Sequence, residues 1–381
     1  MKVLVAADYY PHGRMSELFE QDQYAIVFGG ICDVVLSAHY SIINLECPVV
    51  SESNATPIEK CGPCLNCSVK GVEAIRWLGF DCVTLANNHF RDYGEIGVSE
   101  TIDTCNSIGI DTVGGGSDFS EASRILYKQI EGKTLAIINC CEHEYSIATE
   151  TSAGSNPLNP IKQYYAIKEA REKADFVLVI VHGGHEHYNL PSPRMQEIYR
   201  FFIDAGADAV VNHHQHCYSG YEVYRGKPIF YGLGNFCFDK VSDRMPAGWY
   251  EGYMVELKFG EGEGIGYELI PYTQCKDKLS VELMTGEEFK RFFEKIGQLN
   301  AIIANPVQLK QRHEEWMEKN GSSFEHQFLP YSNHWLVSAY RRHLFPSLLS
   351  KERLLVLQNH FECESHRERS LFALNRLLKK G

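Results

Sequence analysis

One local pattern recurs three times in the first two-thirds of this chain: an amphipathic helix, a glycine that stops it, and a short apolar strand. Val72, Ile75 and Leu78 share a helical face before Gly79, and Phe80 to Leu85 then reads as a strand ending in Ala86-Asn87-Asn88-His89. Val98, Thr101, Ile102 and Cys105 repeat the spacing before Gly109, and Ile110 to Val113 runs into Gly114-Gly115-Gly116. Met195, Ile198, Tyr199 and Phe202 do so before Gly206, followed by Asp208 to Val211 and Asn212-His213-His214-Gln215-His216. Two further strands end on polar residues: Ser41 to Leu45 on Glu46, and Phe176 to Val181 on His182, the latter after a helical segment from Lys162 to Lys173. Lys2 to Ala7 reads as a first strand ahead of Asp8. Alternating helices and short strands specify an α/β fold with a largely parallel sheet. In such sheets ligands gather at the carboxyl ends of strands, where this chain places its polar groups.

At 381 residues the chain exceeds what one core usually supports, so a large domain with an appended unit is expected. Tyr221 to Arg225 and Pro228 to Tyr231 flank Gly226-Lys227 like a hairpin, and Tyr253 to Phe259 continues the β character. From Val281 onward the pattern is helical, over 287–299, 306–319, 334–344 and 351–378. The expected division is therefore a catalytic domain over 1–278 and a helical C-terminal extension over 279–381.

A net charge of −12 argues against nucleic-acid binding, which draws on clustered Lys and Arg. The basic stretch from Arg341 to Lys380 is interspersed with Glu and Leu and reads as a solvated helical face. The apolar run before Asp8 is too short for a signal peptide, and no stretch is long enough to cross a bilayer. These features predict a cytoplasmic protein without a membrane anchor, whose 13 cysteines are mostly buried thiols in a reducing compartment.

Six of the 16 histidines (His182, His185, His187, His213, His214 and His216) fall within 35 residues. Any one of them alone reads as a hydrogen-bonded residue near a strand end. Together with the carboxylates of Asp8 and Glu46 and the amide oxygen of Asn88, the imidazoles of His182, His214 and His216 offer a mixed nitrogen and oxygen set. Such a set suits Mn, Fe or Zn, with one or two divalent ions per chain, and disfavours Ca. His214 and His216 can both point at one site only if the turn after the strand breaks the alternation of side chains. His185 and His187 alternate after His182 and are expected to form cleft wall or to support the ligands from behind.

Several segments carry a resemblance. Asn44-Leu45-Glu46, Ala86-Asn87-Asn88-His89 with Asp92-Tyr93-Gly94, His182-Gly183-Gly184-His185-Glu186, Gly206-Ala207-Asp208, His213-His214-Gln215-His216 and Tyr231-Gly232-Leu233-Gly234-Asn235-Phe236 resemble, in order and spacing, the CapA family of poly-gamma-glutamate capsule biosynthesis. That family is similar to the calcineurin-like metallophosphoesterases. The resemblance covers roughly residues 1–240 and implies a four-layer α/β/β/α sandwich with a two-metal site at the strand ends. It implies that Glu46 bridges the ions, that Asn88, His182 and His214 complete one, and that Asp8 and His216 serve the other. The superfamily's first motif adds a His two residues after its Asp, and here that position is Tyr10. The second ion is therefore expected to be held by fewer protein ligands; His12 would need a different loop path to substitute.

With both ions bound, an activated water would attack an ester phosphorus, with His89 as general acid; Asp92 is close enough in sequence to orient the His89 ring, or else serves as a turn residue before Gly94. The function so implied is that of a phosphoesterase-like hydrolase in capsule or cell-envelope polymer biosynthesis, acting on a small-molecule or polymer-precursor substrate. The alternative is a non-hydrolytic capsule or poly-gamma-glutamate assembly protein that retains a metal-binding cleft. Trp316, Leu354, Leu355 and Leu357 in the C-terminal helices offer anchors for a protein partner. Cys61, Cys64 and Cys67 place three thiols close together without a fourth, and so point only weakly to a metal or cluster. Gly114 to Gly116 lack the Lys and spacing of a nucleotide loop and read as a turn.

Overall fold

The computed structural model describes all residues except 52–54, 61, 240–244, 261–263, 277, 322–332, 343, 345–348, 363 and 379–381. The first strand, β1 (Lys2–Tyr10), is buried along nearly its whole length. Its run of apolar residues, without a polar face, is what a strand covered on both sides requires.

β1 lies inside an eight-stranded sheet. On one side it pairs in parallel with β2 (Tyr40–Leu45), then β3 (Cys82–Thr84) and β4 (Asp111–Val113). On the other it pairs antiparallel with β14 (Glu251–Lys258), followed by β15 (Gly266–Gln274) and β16 (Val281–Leu283). β13 (Asn235–Phe238) pairs in parallel with the carboxyl end of β1. A second sheet has six strands in the order β11 (Tyr221–Tyr224), β12 (Lys227–Phe230), β10 (Ala209–His213), β9 (Phe176–His182), β7 (Lys133–Cys141) and β6 (Leu126–Ile130). Its four central strands are parallel. β5 (Gly115–Gly116) and β8 (Gly154–Ser155) form a separate short pair.

The sheets face each other. His213 on β10 reaches across to the carbonyl of Ala6 on β1 at 3.0 Å, and Asn139 Oδ1 on β7 accepts from Ala86 N, just past β3, at 2.7 Å. Helices Val69–Leu78 and Gly94–Ile108 lie on the side of the larger sheet, and Pro160–Lys173 and Pro193–Ala205 pack on the smaller. The result is the four-layer α/β/β/α sandwich. Val72, Ile75 and Leu78 are fully buried, and each such side chain contributes about 1.5–3 kcal/mol through burial. That helix ends where Gly79 takes φ 104°, a left-handed cap that returns the chain toward β3. Ser192 caps the helix Pro193–Ala205 by accepting from Met195 N at 3.2 Å, with Pro at the first helical position.

By contacts the chain divides into two compact units, Met1–Gln311 and Arg312–Gly381. The first runs past the change to helices near 278 because the helix Gly286–Ile303 buries Phe292, Ile296, Leu299 and Ile303. Phe292 meets Tyr218 with ring centroids 5.0 Å apart, Asn300 Oδ1 accepts from Tyr221 N at 2.7 Å, and Gln196 donates to Ile303 O at 3.0 Å. Within the second unit, the helices Lys351–Glu362 and Glu364–Leu378 pack on each other and leave Leu354, Leu355, Leu371 and Leu374 exposed. Among the described residues, no helix is long and apolar enough to cross a membrane. The described cysteines are free thiols, and all but Cys32 and Cys64 are buried.

Candidate metal centre

The carboxyl ends of the parallel strands of both sheets meet at one edge. Asp8 comes from β1, Glu46 directly follows β2, Asn88 follows β3, His182 ends β9, and His214 and His216 follow β10. All six are buried, with Asp8 and Glu46 at 0 % exposure. The turn after β10 breaks the strand alternation through its backbone: His214 has φ 92° and His216 φ 52°, a region non-glycine residues rarely enter. Strain of this kind costs about 1–3 kcal/mol per residue and persists where surrounding contacts fix it. One such contact is His214 N, which donates to Asp8 Oδ2 at 3.0 Å.

Four donors converge first. His182 Nε2 lies 2.9 Å from Asn88 Oδ1, 3.1 Å from His214 Nδ1 and 3.6 Å from Glu46 Oε1. Ligand atoms about 2.0–2.1 Å from a shared tetrahedral ion stand roughly 3.3 Å from one another, so these donors are close enough to share one. A second group joins Asp8, Glu46 and His216, with His216 Nε2 3.5 Å from Glu46 Oε1 and its Nδ1 3.7 Å from Asp8 Oδ2. Glu46 is common to both.

The two groups are unequal. Both oxygens of Glu46 are buried and lack a hydrogen-bond partner, an arrangement that costs about 1–3 kcal/mol or more in a protein interior. Asp8, in contrast, already accepts from Asn44 Nδ2 at 2.8 Å on one oxygen and from His214 N on the other. Asn235 Oδ1 lies 2.9 Å from His216 Nδ1, which leaves Nε2 to face Glu46. Burial, reinforced by the neighbouring charge of Asp8, pushes the Glu46 carboxyl well above the usual range. Burial also raises Asp8 and holds His182 well below the ordinary imidazole value. His214 is lowered to about 3, first by burial and then by His216. A buried site with His182 and His214 held below the ordinary imidazole value and a carboxyl without hydrogen-bond partners matches what a divalent cation requires of its ligands.

Beside this centre, His89 Nδ1 stands 2.7 Å from Asp92 Oδ2, and Leu65 N donates to the same oxygen at 2.7 Å. Lys60 forms a buried ion pair with Asp92 Oδ1. Glu144 is exposed near Asn88; partial burial of its carboxyl and the charge of Glu186 raise it.

His12 belongs to neither donor group. The Tyr10 ring stacks on His12 with centroids 4.1 Å apart and meets Phe238 edge-on at 5.0 Å, while His12 Nδ1 lies 3.3 Å from Tyr10 O. The exposed His187 ring lies 6.3 Å from that of His216 and 6.0 Å from that of Trp249, centroid to centroid. His213 turns into the space between the sheets. Cys64 donates to Ile58 O at 3.6 Å and Cys67 is buried; Cys61 lies outside the described residues. At Gly114 an added Cβ would stand 2.0 Å from Asn139 Oδ1, so glycine serves close packing there, and Gly115–Gly116 form the short strand β5 where a turn was expected.

Asn44, Asn235 and Lys60 had no role assigned from sequence. The first and second stand in segments quoted above for the resemblance, which marks their positions but not their partners. Nothing in the sequence marks Lys60.

Residues 2–240 match the family described as "Bacterial capsule synthesis protein PGA_cap". The chain belongs to that family. It is 35% identical over 222 residues to the capsule biosynthesis protein CapA of Bacillus anthracis, covering 56% of this chain and 54% of that protein. It is 33% identical over 232 residues to the PGA biosynthesis protein CapA of Bacillus subtilis (strain 168), covering 60% and 61%. The alignments thus span between about half and three-fifths of these relatives. A probable polyglutamine synthesis accessory protein of Mycobacterium tuberculosis is 26% identical over 271 residues, covering 66% of this chain and 70% of that protein. Among solved structures, a hypothetical protein from Thermus thermophilus aligns at TM-score 0.45 and 16% identity, covering 71% of this chain and 99% of its own. A 5'-nucleotidase precursor from the same organism aligns at TM-score 0.43 and 13% identity, covering 80% and 59%.

Proposed function

We propose that this family member is a metal-dependent, phosphoesterase-like hydrolase that acts on an ester in a capsule or cell-envelope polymer precursor. The observation that carries the reading is Glu46: a fully buried carboxylate with no hydrogen-bond partner, shared by two donor groups. Glu46, Asn88, His182 and His214 would hold one divalent ion, and Asp8, Glu46 and His216 a second. Bound divalent ions would acidify water toward neutrality and offset charge developing on ester oxygens.

The remaining chemistry belongs to side chains. A carboxylate only accepts, so the hydrogen between His89 and Asp92 sits on His89 Nδ1. Nε2 is then the ring nitrogen left to exchange a proton with a leaving alkoxide. Asn235 and Asn44 orient His216 and Asp8 in the same sense.

The second reading, a non-hydrolytic assembly role, draws support from Tyr10, which leaves the Asp8 and His216 group with three protein ligands. One experiment separates the two. Chelator-stripped protein is supplied separately with Mn, Fe(II) or Zn and offered a generic phosphodiester and phosphomonoester. Metal-dependent turnover is expected, with His89→Ala retaining metal and losing about 10²-fold or more in rate. Protein that binds metal yet stays inert with every ion would favour assembly.

A further inference from the structure

The loop that follows Glu46 brings in a cation that the proposed mechanism has not used. Lys60 has a side chain only 3 % exposed, against an Asp92 side chain at 0 %. Its ammonium pairs with Asp92 Oδ1, stands 3.2 Å from His89 Nδ1, and lies 5.8 Å from the centre of the Tyr145 ring. Lysine is almost never buried to this degree unless a charge partner holds it.

The hydrogen bonding around Asp92 leaves one consistent arrangement. Oδ2 already accepts from His89 Nδ1 and from Leu65 N, and Oδ1 faces the ammonium. With Nδ1 carrying its hydrogen toward Asp92, it has no lone pair for Lys60, so the 3.2 Å contact is a neighbour's charge and not a second hydrogen bond. Lys60 is also too enclosed to touch a substrate. What it supplies is the countercharge that lets a buried Asp92 act only as an acceptor. We infer that Lys60 is a positioning residue: through Asp92 it fixes the tautomer and ring orientation of His89, with Nε2 left free for the leaving oxygen. This inference rests on the hydrolase reading for its catalytic consequence, but its structural half stands independently.

Lys60→Met removes the charge at similar length, Lys60→Arg retains it, and Lys60→Gln removes it while keeping a donor for Asp92 in case the Met variant fails to fold. Metal content is expected to be unchanged in all three, because Lys60 contacts none of the six proposed ligands. With the phosphodiester as probe, kcat should fall about 10- to 100-fold in the Met and Gln variants with KM nearly unchanged, and Lys60→Arg should recover most of it. Long-range proton–nitrogen correlation spectra of metal-free, histidine-labelled protein should show His89 with a single Nδ1–H form in the wild type and the Arg variant, and mixed forms in the Met and Gln variants. A single Nδ1–H form in the Met or Gln variant would overturn the inference, as would loss of metal along with activity. If the wild type hydrolyses nothing, the hydrolase reading fails alone, and the spectra still decide the role of Lys60.

Discussion

Glu46→Gln isolates the carboxylate that both donor groups share while keeping its shape. In the metal-free protein the Glu46 carboxyl is pushed well above its ordinary value of 4.5 by burial and by Asp8. A folded-state pKa above the unfolded one gives stability that is complete below 4.5 and is lost as pH rises through the folded value. Each unit of that elevation is about 1.4 kcal/mol lost at pH values above it. Gln carries no charge and escapes this loss, although its amide still lacks partners at a cost of about 1–3 kcal/mol. Near pH 8, chelator-treated Glu46→Gln should therefore be at least as stable as the wild type, and its stability should vary less between about pH 5 and 8. Added metal reverses the order. An ion at about 100 times its Kd stabilises the wild type by about 2.7 kcal/mol, whereas the variant has lost a ligand from both groups and should gain under about 1 kcal/mol. Urea denaturation followed by tryptophan fluorescence, with chelator and with Mn or Zn, gives all four stabilities. A variant that gains as much from metal as the wild type would refute the reasoning, as would a metal-free variant less stable than wild type by several kcal/mol near pH 8.

His214→Ala and His216→Ala should differ. The first removes a ligand from the four-donor group and should abolish retention of the tighter ion through dialysis, while the second should spare that ion and weaken only the other, as elemental analysis would show. Burial holds His213 at about 4 against an ordinary 6.5, so its contribution to stability is full above 6.5 and is lost as pH falls toward 4. The loss amounts to about 3 kcal/mol, to be read from denaturation of metal-free wild type across that range and reduced in His213→Gln. Metal affinity should rise with pH, since the ion displaces protons from Glu46 and the imidazoles; isothermal titration in buffers of different ionisation enthalpy would report the proton release.

Much of the arrangement was legible because it depends on local periodicity. The Gly79, Gly109 and Gly206 stops fix where helices end, and the strands that follow leave polar residues at a common edge. Asn88 stands after one of those strands, while Asp8, Glu46 and His182 stand at the ends of three further strands that the apolar runs alone mark. The convergence of His214 and His216 needs two left-handed residues in a turn, and nothing in a His-Gln-His run demands that backbone. Lys60 could not be read at all: its partner Asp92 lies 32 residues on, and the pairing arises only in the folded chain. The same holds for Asn44, held to Asp8 across 36 residues by the register of β1 with β2. The helix Gly286–Ile303 was visible as a helix, but its packing on Tyr218 was not, because an apolar face does not say which surface it will cover.

The most direct test of the central claim is the metal stoichiometry of the purified chain, measured by elemental analysis after equilibration with Mn, Fe(II) or Zn and again after dialysis. The arrangement around Glu46 predicts up to two ions per chain at saturation, one of them surviving dialysis, and neither held tightly by Glu46→Gln. A wild-type chain that retains no ion with any of the three metals, or a Glu46→Gln chain that retains as much as the wild type, would contradict it.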